Sequence, residues 1–148
     1  MTDGYNPQRR DLMRALRRAS PPCGGPLALY QLNTTSMTTT DEQRTLIRSL
    51  NDQLRRTGSG GSVFVTRGVA ALTPAEQADI TRAVTAFDAF TEDNDPWGEH
   101  DCATFTVGGN DVMFKIDYYD TEMECLSPAP WDAVQTRRVL TILLTQEY

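Results

Sequence analysis

Apolar and polar residues follow two different periods along the chain, and each period predicts its own kind of element. In the first of these stretches, apolar residues recur at helical spacing and predict a helix over Asp41–Thr57. Thr40 and Gln43 match a capping box at its start, and Gly58 stands where a left-handed residue ends a helix. The apolar positions are Leu46, Ile47, Leu50 and Leu54. The β-branched and aromatic run at residues 62–66 then predicts a strand.

A second helix is predicted to begin at Pro74, because Thr73 fits the N-cap and Glu76 completes another capping box. Its buried face is expected to consist of Ile80, Ala83, Val84, Phe87 and Phe90. Residues 91–101 follow and are rich in Asp, Asn, Pro and Gly. That composition is typical of an ordered loop.

The second half of the chain predicts a β-hairpin followed by a helix. Apolar residues alternate with polar ones in residues 103–107 and 112–119, and Gly108-Gly109-Asn110-Asp111 predicts the turn between them. Beyond a Pro-containing break, apolar spacing predicts a C-terminal helix over Trp131–Tyr148. The predicted fold is therefore α+β: a small antiparallel sheet, made of one strand plus a hairpin, packed against two or three helices.

Charge divides the chain near residue 36. The whole chain has a net charge of -6, but residues 1–36 hold five Arg, two acids and four of the eight prolines. The remainder holds nine Lys and Arg against 18 Asp and Glu, a net charge of −9. We interpret residues 1–36 as a disordered basic extension or an over-long start before Met37, with a functional basic arm as the alternative. Residues 37–148 then form a single α+β domain.

Three segments of the acidic part resemble a known bacterial family. They are Asn94-Asp95-Pro96-Trp97-Gly98-Glu99-His100-Asp101, Phe114-Lys115-Ile116-Asp117-Tyr118-Tyr119-Asp120 and Arg138-Val139-Leu140-Thr141-Ile142. With Leu50-Asn51-Asp52, Thr66-Arg67-Gly68-Val69 and Glu147-Tyr148, they resemble the domain-of-unknown-function family DUF3768 from about residue 42 to residue 148. The resemblance implies a compact bacterial domain that lacks the first 36 residues, and it implies no activity.

Acidic residues concentrate between Asp88 and Glu124, which hold eleven Asp and Glu, one Lys and the only His. One interpretation is that turns attract Asp because its side chain bonds nearby backbone N–H groups. The other is that the segment forms a binding surface over residues 91–124. The candidate residues are Trp97, Glu99, His100, Asp101, Lys115, Asp117, Tyr119 and Asp120.

Aromatic residues with a charged rim are typical of protein interfaces, so the sequence favours a protein-binding or accessory module with a protein partner. One alternative is an enzyme, a hydrolase or a metal-dependent nuclease, that uses His100, Lys115 and Asp117. Lys115 and Asp117 share a strand face, and this alternative requires the loop that carries His100 to fold over that face. Another is an inhibitor that mimics nucleic acid.

Several classes are disfavoured. The net charge of −9 repels a phosphate backbone and disfavours direct nucleic-acid binding. The chain contains no P-loop, dinucleotide-binding fingerprint or nucleophile elbow, so we predict no cofactor, and we predict no metal site. No apolar run is long enough for a membrane span or resembles a signal peptide, which predicts no membrane contact. The odd count of three Cys, with a single His, is typical of a reduced cytosolic protein and predicts a cytoplasmic location.

Overall fold

The structure, a computed structural model, describes residues 39–148. Its first helix, α1, spans Asp41–Thr57 as predicted. The Thr40 hydroxyl accepts from the Gln43 N–H at 3.2 Å, the Thr40 N–H donates to the Gln43 side chain at 3.0 Å, and Gly58 ends the helix with φ 71°. Among the four apolar positions predicted for this helix, Leu46 does not lie on the buried face, because it is 51% exposed. The interpretation of residues 1–36 lies outside the described residues.

Within residues 39–148, four strands form one mixed sheet. They are β1 (Ser62–Val65), β2 (Cys102–Val107), β3 (Asn110–Tyr119) and β4 (Arg137–Leu144), in the order β1-β4-β3-β2. β1 runs parallel to β4, and the other two pairs are antiparallel. The α+β class is confirmed, while the sheet has one strand more than predicted and is not wholly antiparallel.

The predicted C-terminal helix is wrong. Most of Trp131–Tyr148 forms β4 and a short 3₁₀ turn at Thr145–Glu147. β4 is an inner strand with apolar residues on both faces: Leu140 and Ile142 face the helices, and Leu143 pairs with Met113 on the other side. A strand buried on both faces is a continuous apolar run, which periodicity does not distinguish from a helix.

The hairpin forms as predicted. Gly108 and Gly109 connect β2 to β3 with φ values of 58° and 82°, the positive angles that a tight two-residue hairpin turn requires. Alternate residues of the hairpin enter the core, while the residues between them, including Lys115 and Asp117, point to the opposite face of the sheet. We call this opposite face the second face.

Two further helices cover the core face of the sheet together with α1. The short helix α2 (Arg67–Ala70) was not predicted, whereas α3 (Pro74–Ala86) begins at its expected capping box. Within the predicted buried face of α3, Ile80 and Val84 are buried. The core cluster consists of Leu54, Val69, Ile80, Val84, Ala103, Val112, Phe114, Ile116, Leu140, Ile142 and Leu144. Among residues 39–148, no helix has both the length and the apolar character to cross a membrane.

Candidate functional site

The loop at residues 91–101 lies against the C-terminal half of β3. The Asp101 carbonyl accepts from the Ile116 N–H at 2.7 Å, and the Arg48 side chain of α1 donates to the Gly98 carbonyl at 2.7 Å. Antiparallel pairing places the starts of β2 and β4 beside the C-terminal half of β3. The segment at residues 120–136, which joins β3 to β4, therefore lies at the same end of the sheet as the loop at residues 91–101. We call this end, with its two loops, the loop end.

Asp95 shapes the first of these loops from inside. Its carboxylate accepts from the Glu99 N–H at 3.1 Å and from the His100 N–H at 3.0 Å, and the residue is 6% exposed. Asn94 bonds the Thr91 N–H in the same manner at 2.8 Å. These are the local side-chain bonds that explain why turns attract Asp and Asn. Asp95 therefore holds the loop backbone and does not belong to an exposed acidic surface.

His100 joins this loop to α1. Its Nδ1 lies 3.1 Å from both carboxylate oxygens of Asp52, and its ring stacks on Phe90 with centroids 3.8 Å apart and planes 5° from parallel. Nε2 lies 3.9 Å from the Asp95 carboxylate. The backbone of His100 has φ 56°, a left-handed conformation that is uncommon outside glycine. The imidazole is therefore held by two carboxylates and an aromatic ring.

Arg55 lies beneath this contact. Its guanidinium donates to Asp52 at 2.8 Å and to the Val84 carbonyl at 2.7 Å, and its side chain is fully buried. Its charge also lies 5.4 Å from the centroid of the Phe90 ring. Burial raises the pKa of the Asp52 carboxyl, but the bonds from Arg55 and His100 outweigh it and leave that pKa lowered. We call Asp52, Arg55, Phe90, Asp95 and His100 the His100 cluster.

A second set of polar side chains lies beside this cluster. The Asn51 side-chain amide donates to the Glu99 carbonyl at 2.9 Å and to the Tyr118 hydroxyl at 2.7 Å, and its oxygen accepts from Arg138 Nε at 3.2 Å. The Tyr118 hydroxyl reaches the Glu99 carboxylate at 3.4 Å, and Arg138 also donates to the Pro130 carbonyl. Asn51, Glu99 and Arg138 are buried. This Asn51 network ties α1, both loops and two strands together.

Lys115 and Asp117 lie elsewhere. They share the second face, as their spacing requires, and Lys115 Nζ is 2.7 Å from the Asp117 carboxylate. Burial lowers the pKa of Lys115, but the hydrogen bond and charge of Asp117 outweigh it and leave that pKa raised. His100 contacts α1 on the helix-covered face. The sheet therefore separates His100 from the other two residues of the predicted catalytic group.

The remaining candidate residues are divided between the loops and the strand ends. Trp97 is 49% exposed in the first loop, Asp101 is partly buried, and Tyr119 ends β3. Asp120 accepts from the Glu124 N–H at 3.0 Å, so it too orders a turn. Of the eight candidates, Glu99, His100 and Asp101 form a continuous segment that packs on α1 and β3, and Lys115 and Asp117 form a separate pair.

Sequence reasoning missed Asn51, Asp52, Arg55 and Arg138 as members of the site. One signal was present: Asn51 stands between Ile47 and Leu54 at helical spacing, so α1 places a polar residue on its apolar stripe. Within the described range, no group of three His, Cys, Asp or Glu side chains is arranged to hold a metal ion.

A family described as protein of unknown function, DUF3768, matches residues 65–147. That range includes both loops and all four strands except most of β1, and it begins after α1. No curated protein and no solved structure matches the chain.

Proposed function

The chain belongs to the DUF3768 family of proteins of unknown function, and we propose that it is a protein-binding module that acts through the loop end of its sheet. The observation that carries this proposal is the half-exposed Trp97 indole, which stands in a loop whose next two residues are fixed to α1. Exposed aromatic side chains on an ordered backbone are typical anchors of protein interfaces.

Other exposed apolar side chains support a partner surface at the same end. Met123 and Leu126 are each 48% exposed, and Val134 is 79% exposed. Exposed acidic residues occur in the same two loops: Glu92 and Asp93 in the first, and Glu122 and Glu124 in the second. Apolar and acidic side chains exposed in the same loops fit a partner that presents an apolar pocket bordered by Lys and Arg.

The polar interior of the loop end favours binding in a different way. The Asn51 network and the His100 cluster fix the backbone of residues 95–101 before any partner arrives. Ordering a loop on binding costs free energy, so a loop that is ordered in advance binds more tightly. Glu99 contributes to this order from a buried position, and so we expect its replacement to lower stability first.

The experiment is affinity purification of the full chain from its native host at several salt concentrations, with mass spectrometry of the bound proteins. Trp97→Ala and the double variant Glu122→Gln/Glu124→Gln are compared with Asp79→Asn/Asp111→Asn, which removes two exposed acids away from the loop end. We expect one salt-sensitive partner that both loop variants lose and the control retains. Equal recovery by all variants would contradict the proposal.

The same purified complex tests the nucleic-acid mimic. A mimic occupies a DNA- or RNA-binding groove, so duplex DNA or RNA added in excess would displace the chain from its partner. A partner with no nucleic-acid site would be unaffected. Direct binding of nucleic acid by the chain stays disfavoured, because the described residues carry a net charge of −9. The predicted cytoplasmic location stays a prediction, which cell fractionation of the native host tests.

A further inference from the structure

The outer strand β1 presents an apolar edge. All four of its residues are exposed, with Val63 at 44%, Phe64 at 56% and Val65 at 47%. Within the described residues β1 pairs with β4 alone, so its other edge has no strand beside it. Edge strands of monomers usually carry Lys, Pro or a bulge that prevents pairing, and Ser62–Val65 contains no charge and no proline.

The free edge has backbone groups in a defined order. The Thr66 N–H donates to the Ile142 carbonyl of β4, and alternation along the strand directs the N–H and carbonyl of Phe64 toward β4 as well. The N–H and carbonyl groups of Val63 and Val65 therefore point to the free edge. An added strand would bond to these two residues.

We propose that this edge pairs with the β1 edge of a second copy of the chain, antiparallel about a two-fold axis. The register places Phe64 opposite Phe64 of the second copy and Val63 opposite Val65 of that copy. The two valine pairs are then the hydrogen-bonded pairs, and the phenylalanines form the closer, non-hydrogen-bonded pair on the second face. The two sheets become one sheet of eight strands.

Every position from Ser62 to Thr66 meets a chemically matched residue in this register, and this favours a second copy over an unrelated partner. Ser62 comes opposite Thr66, the valines meet valines, and the aromatic rings meet each other. The next charged residue, Arg67, comes level with Gly61, which has no side chain, so like charges do not meet. A self-complementary patch of this kind is what a two-fold interface requires.

The test measures the mass of the full chain in solution by analytical ultracentrifugation, from about 10 µM to about 1 mM. The contact is small, so we expect a weak dimer with a dissociation constant of about 10 µM to 1 mM. The mean mass should rise from 16.5 kDa toward twice that value as the concentration increases. A chain that stays at 16.5 kDa over the whole range overturns the proposal.

Three variants locate the contact. Phe64→Asp places two like charges opposite each other, and Val65→Pro removes an N–H that faces the free edge while leaving the bonds to β4. Both are expected to abolish the rise in mass with unchanged circular dichroism. Leu46→Asp changes an exposed apolar residue of α1, away from β1, and this variant should dimerise like the parent. Retention of the dimer by Phe64→Asp and Val65→Pro would place the association elsewhere and overturn the proposal.

If Phe64→Asp or Val65→Pro unfolds, a disulfide cross-link tests the register instead. Facing residues of a non-hydrogen-bonded pair have Cβ atoms about 4.5–5.5 Å apart, which is close enough for a disulfide. We expect Phe64→Cys to form a covalent dimer on mild oxidation and Leu46→Cys to form none beyond the parent. The absence of a Phe64→Cys dimer would contradict the register.

Discussion

The Asp52 carboxylate of α1 holds the His100 imidazole, with both carboxylate oxygens 3.1 Å from Nδ1. The two residues are 48 positions apart, and their contact fixes the loop at residues 91–101 to α1. His100 thereby gains a structural role at the base of the proposed partner surface.

The left-handed backbone of His100 predicts different costs for different replacements. His100→Asn loses the ring stacking and the bond to Asp52 but tolerates φ 56°, and we expect a loss of about 1–2 kcal/mol in unfolding free energy. His100→Val adds the strain of a β-branched residue at positive φ and should cost about 1–2 kcal/mol more. Urea unfolding measures both. Equal stability of the two variants would show that the backbone strain is absent.

Acid should weaken the contact between Asp52 and His100 in a particular pH window. The pKa of Asp52 is lowered below its ordinary value of 3.8 in the folded chain, so ionised Asp52 stabilises the fold above that value. The contribution is lost as pH falls from the unfolded pKa through the lower folded one. Asp52→Asn should reduce this acid-dependent loss, as measured by thermal unfolding between about pH 2 and pH 6. If Asp52→Asn lost stability with falling pH as steeply as the parent, the attribution of this loss to Asp52 would be wrong.

The Lys115–Asp117 pair on the second face predicts the opposite pH dependence of stability. The pKa of Lys115 is raised above 10.5 by Asp117, so its contribution is fully present below the unfolded pKa and is lost as pH rises through the folded one. Lys115→Met should remove this loss of stability at alkaline pH. The loss of stability at acid pH that Asp52 causes should be unchanged. Thermal unfolding at about pH 9–12 checks the prediction. If Lys115→Met lost stability with rising pH as steeply as the parent, the prediction would be wrong.

Asn51 is expected to be the most sensitive polar residue of the loop end. Asn51→Leu fits the apolar stripe of α1 but leaves Arg138 Nε without its Asn51 bond and the Glu99 carbonyl without its amide donor. Buried polar groups left unpaired cost about 1–3 kcal/mol each, so we expect a loss of about 3 kcal/mol in unfolding free energy. Leu50→Ala, a partly buried position on the same helix, should cost less. The reverse order in urea unfolding would contradict the importance of the network.

Elements with local signals could be predicted from the sequence. Capping boxes fixed the starts of α1 and α3, and the Gly108-Gly109 turn between alternating strands fixed the hairpin, because each signal lies within a few residues of its element. β4 was mistaken for a helix because a strand with neighbours on both sides and apolar residues on both faces has no period of two.

The candidate site required information that no local pattern contains. The alternation along β3 shows that Lys115 and Asp117 share a face, but it does not show over which face the loop at residues 91–101 folds. That choice depends on Asn51 and Asp52, which contact the loop across 48 residues of chain. For two of the acids the structure agrees with the first interpretation of the acidic segment: Asp95 and Asp120 bond the backbone of their own turns.

The position of β4 between β1 and β3 also determines when this domain can fold. β1 has no strand partner in the described residues until residues 139–142 exist, and its pairing closes a loop of more than 70 residues. Contacts so distant along the chain form slowly, since loop-closure entropy must be overcome before they contribute. On the ribosome, α1, α3 and the hairpin emerge before β4, so the four-stranded sheet of the described residues cannot form until this inner strand has emerged. A nascent chain released before that strand has emerged would leave β1 unpaired and one edge of β3 open, and exposed strand edges of this kind favour aggregation.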